Sequence, residues 1–192
     1  MKRILATGGL ALLIAAGPGA AQQGGQGHGM GHGMMHGHGA DGTGHDEVNM
    51  PGLRGLDATP EESAEMAVMF RNFQTLRREV ENLPNGIRTR TFSTDPAVHE
   101  ALVSHVIGMI DRVEMGRDPQ VMIQSPTLDI FFERHEAIVT DIDIQGDAIV
   151  VTQTSDDPEM VAALHTHAAE VSDMAARGMR AVHEMMMKRQ GN

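Results

Sequence analysis

IVTDIDIQGDAIVVTQTSDDPEMVAALHTH, residues Ile138–His167, is the stretch whose reading decides the fold. Ile138 to Ile144 is rich in β-branched residues, and alternation puts Ile138, Thr140, Ile142 and Ile144 on one side and Val139, Asp141 and Asp143 on the other, the period of a strand with one buried face. Gln145-Gly146-Asp147 supplies a turn, and Ala148 to Thr154 returns as a second strand. Asp157 followed by Pro158 then opens a helix: the carboxylate accepts hydrogen bonds from free first-turn amides, and proline fits the first helical position. Met160, Leu164, His167, Val171 and Met174 recur at spacings of three or four, which is one helical face.

The same unit stands 62 residues earlier, as LRREVENLPNGIRTRTFSTDPAVHEALVSH over Leu76–His105. Ser93, Asp95, Pro96, Ala101, Leu102, His105, Asp111 and Gly116 match Ser155, Asp157, Pro158, Ala163, Leu164, His167, Asp173 and Gly178, each pair at the same offset (157 − 95 = 62). Such a constant offset is an internal duplication. It settles a conflict of signals. Leu76 to Leu83 consists of good helix formers, but its counterpart reads as a strand, and a duplicated unit keeps its fold. Both copies are therefore predicted to form strands, with Pro84-Asn85-Gly86 turning the first back onto Ile87 to Phe92.

Each copy begins with a helix. Thr59, Pro60, Glu61 and Glu62 form a helix start, after which Met66, Met69, Phe70 and Phe73 mark one face. Ser125-Pro126 opens the shorter counterpart. Gly116 closes the first duplicated helix, whereas the last is predicted to tolerate Gly178 and run on to about Lys188. The expected fold is α+β: two tandem helix-strand-strand-helix repeats, about 60–117 and 125–190, in one domain over 59–190. They share one core, with an antiparallel sheet packed by helices and a pseudo-twofold relation between halves.

Ahead of the domain, Lys2 and Arg3 precede an apolar run from Ile4 to Ala16, and Gly19-Ala20-Ala21 offers small residues for cleavage. Residues 1–21 thus read as a signal peptide cut after about Ala21, and the mature protein is expected in a bacterial periplasm with no membrane span. With no cysteine there is no disulfide framework, thiolate metal site, lipoprotein anchor or c-type haem attachment. Removing Lys2 and Arg3 takes the formal net charge from −11 to −13 (−11 − 2). An acidic chain of this kind repels nucleic acid and anionic lipid, so cations are the expected partners.

Residues 22–58 read as a disordered His/Met/Gly-rich tail, with ordered structure beginning near Pro60. His28, Met30, His32, Met34, Met35, His36, His38 and His45 offer closely spaced imidazoles and thioethers that can wrap copper, nickel or zinc without a preformed cage. Incidental histidines in a Gly-rich tract are the alternative, and eight His and Met residues between His28 and His45 make it the weaker one.

Within the domain, His105 lies on the stripe Val98, Leu102, His105, Met109, Val113, and His167 lies at the matching place on its own stripe. A buried imidazole satisfied by the backbone is one reading of each. A shared ligand role across the common core is the other, brought level with the first because the histidine stayed the same in both copies. Neutral imidazole suits copper, zinc, nickel or iron, and a nearby thioether favours copper(I) or haem iron. Met109, one turn after His105, and Met174, two turns after His167, are the candidate thioethers, although core filling is the ordinary use of methionine. His135 is a candidate third ligand or a helix-end cap. His165 points away from His167 and is expected in solvent. Asp111 and Asp173 fall off the stripe and read as helix-surface carboxylates.

No Gly-x-Ser-x-Gly, His-Glu-x-x-His, phosphate loop or paired catalytic carboxylates occur, so an enzyme is not expected. LPNGIRTRTFSTDP with ALVSHVIGMIDRVEMG, and IVVTQTSDDP with AALHTHAAEVSDMAARG, resemble a family of largely uncharacterised exported bacterial proteins built on this duplicated unit. The resemblance spans roughly Phe70 to Gly178, and the family pattern also places a histidine at the end of each first helix. His135 fits and Phe73 departs, so the implied site is not fully symmetric. No established activity accompanies the resemblance.

The functional expectation is a periplasmic copper-binding protein for binding, buffering or delivery, with a capture tail and a folded site at His105 and His167, joined by Met109 or His135 and with Met174 as the thioether on the second side. A second periplasmic metal or redox protein is the expected exchange partner. The alternatives are a b-type haem protein using His105 and His167 as axial ligands, and a cofactor-free exported interaction module.

Overall fold

In a computed structural model, the described residues are 49–190. The expected signal peptide and the histidines and methionines from His28 to His45 lie outside them. The elements are α1 (Pro60–Arg71), β1 (Leu76–Leu83), β2 (Gly86–Ser93), α2 (Pro96–Glu114), α3 (Asp129–Glu133), β3 (Val139–Gln145), β4 (Ala148–Thr154), α4 (Pro158–Arg177) and α5 (Met179–Gln190). The fold is α+β, an antiparallel sheet of order β1-β2-β4-β3 packed by helices. None of the described helices is long and apolar enough to cross a membrane.

Local chemistry sets the boundaries. Thr59 and Glu62 cap α1 reciprocally, each side chain accepting from the other's backbone amide. Asp95 accepts from the Ala97 and Val98 amides at the start of α2, and Asp157 accepts from the Glu159 amide at the start of α4. The LRREVENL stretch is a strand despite its helix-forming residues, because pairing along its whole length with the β-branched strand β2 outweighs local propensity. In the central pair, Thr89 is in register with Val151, its own counterpart in the duplication (151 − 89 = 62).

The inner face of the sheet carries Ile87, Thr89 and Thr91 from β2 and Ile149 and Val151 from β4, all buried beneath α2 and α4. Leu164 and Met160 of α4 are fully covered, and burial of such side chains contributes roughly 1.5–3 kcal/mol each.

Two expectations are corrected. Ordered structure begins before Pro60: Met50 and Leu53 are buried against α1, Pro51–Leu53 form a 3-10 turn, and Gly55 bridges to Val121. The last helix also does not run through Gly178. That residue adopts φ 60° and ends α4, and α5 begins anew at Met179. A side chain at Gly178 would bring a Cβ to 2.7 Å from Phe73 Cδ1, so both backbone and space demand glycine. Gly116 is the equivalent, with φ 63° and a Cβ position 3.1 Å from the His135 ring.

Candidate functional site

The apolar stripe of α2 and that of α4 point to the same place. Between them, the inner sheet face and α1 lies a cavity of about 230 Å³. His105 and Met109 reach it from α2, and His167 and Met174 from α4. Met66, Met69 and Phe70 of α1, with Phe73, complete a soft, apolar wall.

Both imidazoles are held neutral. Burial pushes the His105 ring down to about 4, against the opposing pull of the Glu62 carboxylate. Burial likewise pushes His167 down to about 4, and the positive charge of Arg78 and the His105 ring act in the same direction. Both rings border the same cavity.

His167 Nδ1 is buried without a hydrogen-bond partner. Glu170 Oε2, also buried and unpartnered, stands 3.9 Å from that Nδ1. The other oxygen of Glu170 accepts from the Ser125 and Thr127 hydroxyls at 2.9 and 3.1 Å, so the carboxylate is fixed beside the ring. The ring stacks edge-on against Phe131 with centroids 5.4 Å apart.

No protein family, curated protein or solved structure matches the chain.

Of the folded candidates, the cavity brings together His105, Met109, His167 and Met174 and leaves out His135. The His135 ring instead covers Gly116, as Phe73 covers Gly178. His165 is not solvated as expected: its Nε2 donates to the carbonyls of Gly86 (2.8 Å) and Leu83 (3.1 Å), clipping the β1–β2 hairpin to α4. Asp173 pairs with Arg177 on the helix surface. Among the described residues, no three or more His, Asp or Glu side chains are grouped so as to hold a metal ion, so an ion in this cavity would need thioethers to extend the imidazole pair.

Three charged residues beside the cavity escape a reading by histidine alone. Glu62 on the wall is locked by Arg112, which donates from Nε at 2.5 Å and from Nη2 at 2.8 Å, and the pairing holds its carboxyl below the usual range. Glu170 orients on His167. Arg78 of β1 faces the cavity, bonded through Nη1 to Thr91 Oγ1 at 2.8 Å. Its signal was available: Arg78 occupies the same alternation as Leu76 and Val80, on the face that the hairpin turns inward.

Proposed function

We propose that this is an exported protein that binds copper(I) in the cavity between α2 and α4, with His105 and His167 as the imidazole ligands and Met109 or Met174 as thioether support. The observation that carries the reading is the pair of neutral imidazoles that border one methionine-lined cavity. Copper(I) accepts few, soft ligands, and thioethers select for it over zinc, which prefers four nitrogen, sulfur or carboxylate donors. Glu170 supports the same reading: its free oxygen stands 3.9 Å from His167 Nδ1, and closing that gap would let it accept from Nδ1–H and leave the other ring nitrogen for the metal.

In this proposal the duplication matters because an approximate twofold axis between the halves delivers one imidazole from each. The His/Met-rich segment from His28 to His45 then serves to capture the ion, and the folded pair to hold it for delivery to a periplasmic metal or redox protein. No catalytic step is assigned.

A b-type haem with the same two axial histidines is the second reading. The two imidazoles bordering one apolar cavity favour it, although the cavity, about 230 Å³, would have to widen to take a porphyrin. Adding haem to the mature protein and recording its absorbance, beside a copper(I) titration against a chromogenic chelator, separates the two. Stoichiometric copper without a low-spin haem spectrum supports the copper reading. A bis-histidine haem spectrum that is lost in His105→Ala and His167→Ala, with weak copper binding, would replace it.

A further inference from the structure

We propose that the cavity also binds a small apolar carboxylate, with the guanidinium of Arg78 as its counter-ion. The inference goes beyond the copper reading and does not require it.

Arg78 sits at an inward position of β1, opposite Thr91 in the β1–β2 register and one alternation from Leu76. One hydrogen bond, from Nη1 to Thr91 Oγ1, holds it, and its Nε is buried without a partner. Among the described residues no carboxylate pairs with it. Glu62, the acid on the cavity wall, is occupied by Arg112 and by the Thr59 amide. Glu170 accepts from Ser125 and Thr127 and otherwise faces His167. Burial lowers the Arg78 pKa to about 10, with no acid offsetting it, so the group is still charged at neutral pH.

A guanidinium has donors in a planar fork, and its matching partner is a planar oxyanion such as a carboxylate. An inorganic anion would satisfy the fork but leave the space beside Met66, Met69, Phe70 and Phe73 unfilled. A carboxylate with an apolar tail meets both demands. The cavity, about 230 Å³, exceeds the ~150 Å³ that accommodates benzene, so a chain of roughly six to eight carbons is the matching size.

The test is isothermal titration of the full mature chain, stripped of metal by chelation, with octanoate and with octanol at neutral pH. Octanol fills the same space without the charge. The expected result is octanoate binding at least about tenfold tighter than octanol, with Arg78→Gln removing that difference and leaving octanol unchanged. Octanoate that binds no tighter than octanol, or does not bind at all, overturns the proposal. Should Arg78→Gln not fold, the comparison of the two ligands on the unaltered chain decides it. Because the titration is metal-free, its outcome is separate from that of the copper reading.

Discussion

His167 Nδ1 and Glu170 Oε2 stand 3.9 Å apart on successive turns of α4, both buried and both without a hydrogen-bond partner. A closure of about 1 Å would make a normal hydrogen bond. If this carboxylate orients the imidazole for a metal, Glu170→Gln should lower copper(I) affinity by about 10- to 100-fold. The glutamine retains an oxygen for Ser125 and Thr127, so the thermal midpoint should change little. A competition titration with a copper(I) chelator, paired with a melting curve, reads both.

The two neutral imidazoles make stability depend on pH. His105 faces Glu62 from α1, and His167 faces Arg78 from β1, His105 from α2 and Glu170 on its own helix. Their folded values of about 4 lie below the 6.5 of an exposed imidazole, so between those limits the unfolded chain binds more protons than the folded one. Stability of the metal-free protein should therefore fall as pH drops from about 6.5 towards 4, by about 1–3 kcal/mol per ring. Urea unfolding across this range checks the slope. His105→Gln with His167→Gln should flatten it.

Met109 and Met174 separate packing from ligation. Leucine nearly conserves volume, so Met109→Leu and Met174→Leu should each cost under about 1.5 kcal/mol of stability. Loss of a thioether ligand would nevertheless weaken copper(I) binding, with the double variant weakened most. Chelator competition on the two single variants and the double variant distinguishes a ligand from filler.

His165 offers the converse case. Its Nε2–H serves two hairpin carbonyls and no part of the cavity wall. His165→Ala should destabilise the protein by about 1–3 kcal/mol, the cost of leaving partly buried carbonyls unpaired, with copper affinity unchanged. Denaturant unfolding and the same competition titration measure the two effects.

Much of this arrangement is readable from local rules. The caps at Asp95 and Asp157, the turns at Asn85-Gly86 and Gly146, and the strand character of IVTDIDI all follow from residues within a few positions of one another. The duplication extended that reading to LRREVENL, where propensity alone points the wrong way. What could not be read depends on partners distant in sequence. Gly178 looks tolerable inside a helix until Phe73 lands on it, although Gly116 at the end of α2 gave the hint. His165 lies off the apolar stripe of α4, and only the folded hairpin shows that carbonyls wait on that side. Met50 and Leu53 sit among glycines and polar residues, so their burial against α1 leaves almost no periodic trace. The stripes correctly aimed His105 and His167 inward, but the cavity they border arises from how α1 and the sheet meet them. Histidine spacing could not separate His135, which covers Gly116, from the pair.

Copper(I) stoichiometry in a chain lacking residues 22–45 decides whether the folded histidine pair itself holds the ion. This boundary keeps Met50 and Leu53, whose burial a cut at Pro60 would undo. The account predicts one tightly held copper(I) per truncated chain, lost in His105→Ala and lost again in His167→Ala while both variants remain folded. Copper that disappears with residues 22–45, or that stays bound to a folded chain without either histidine, would contradict it.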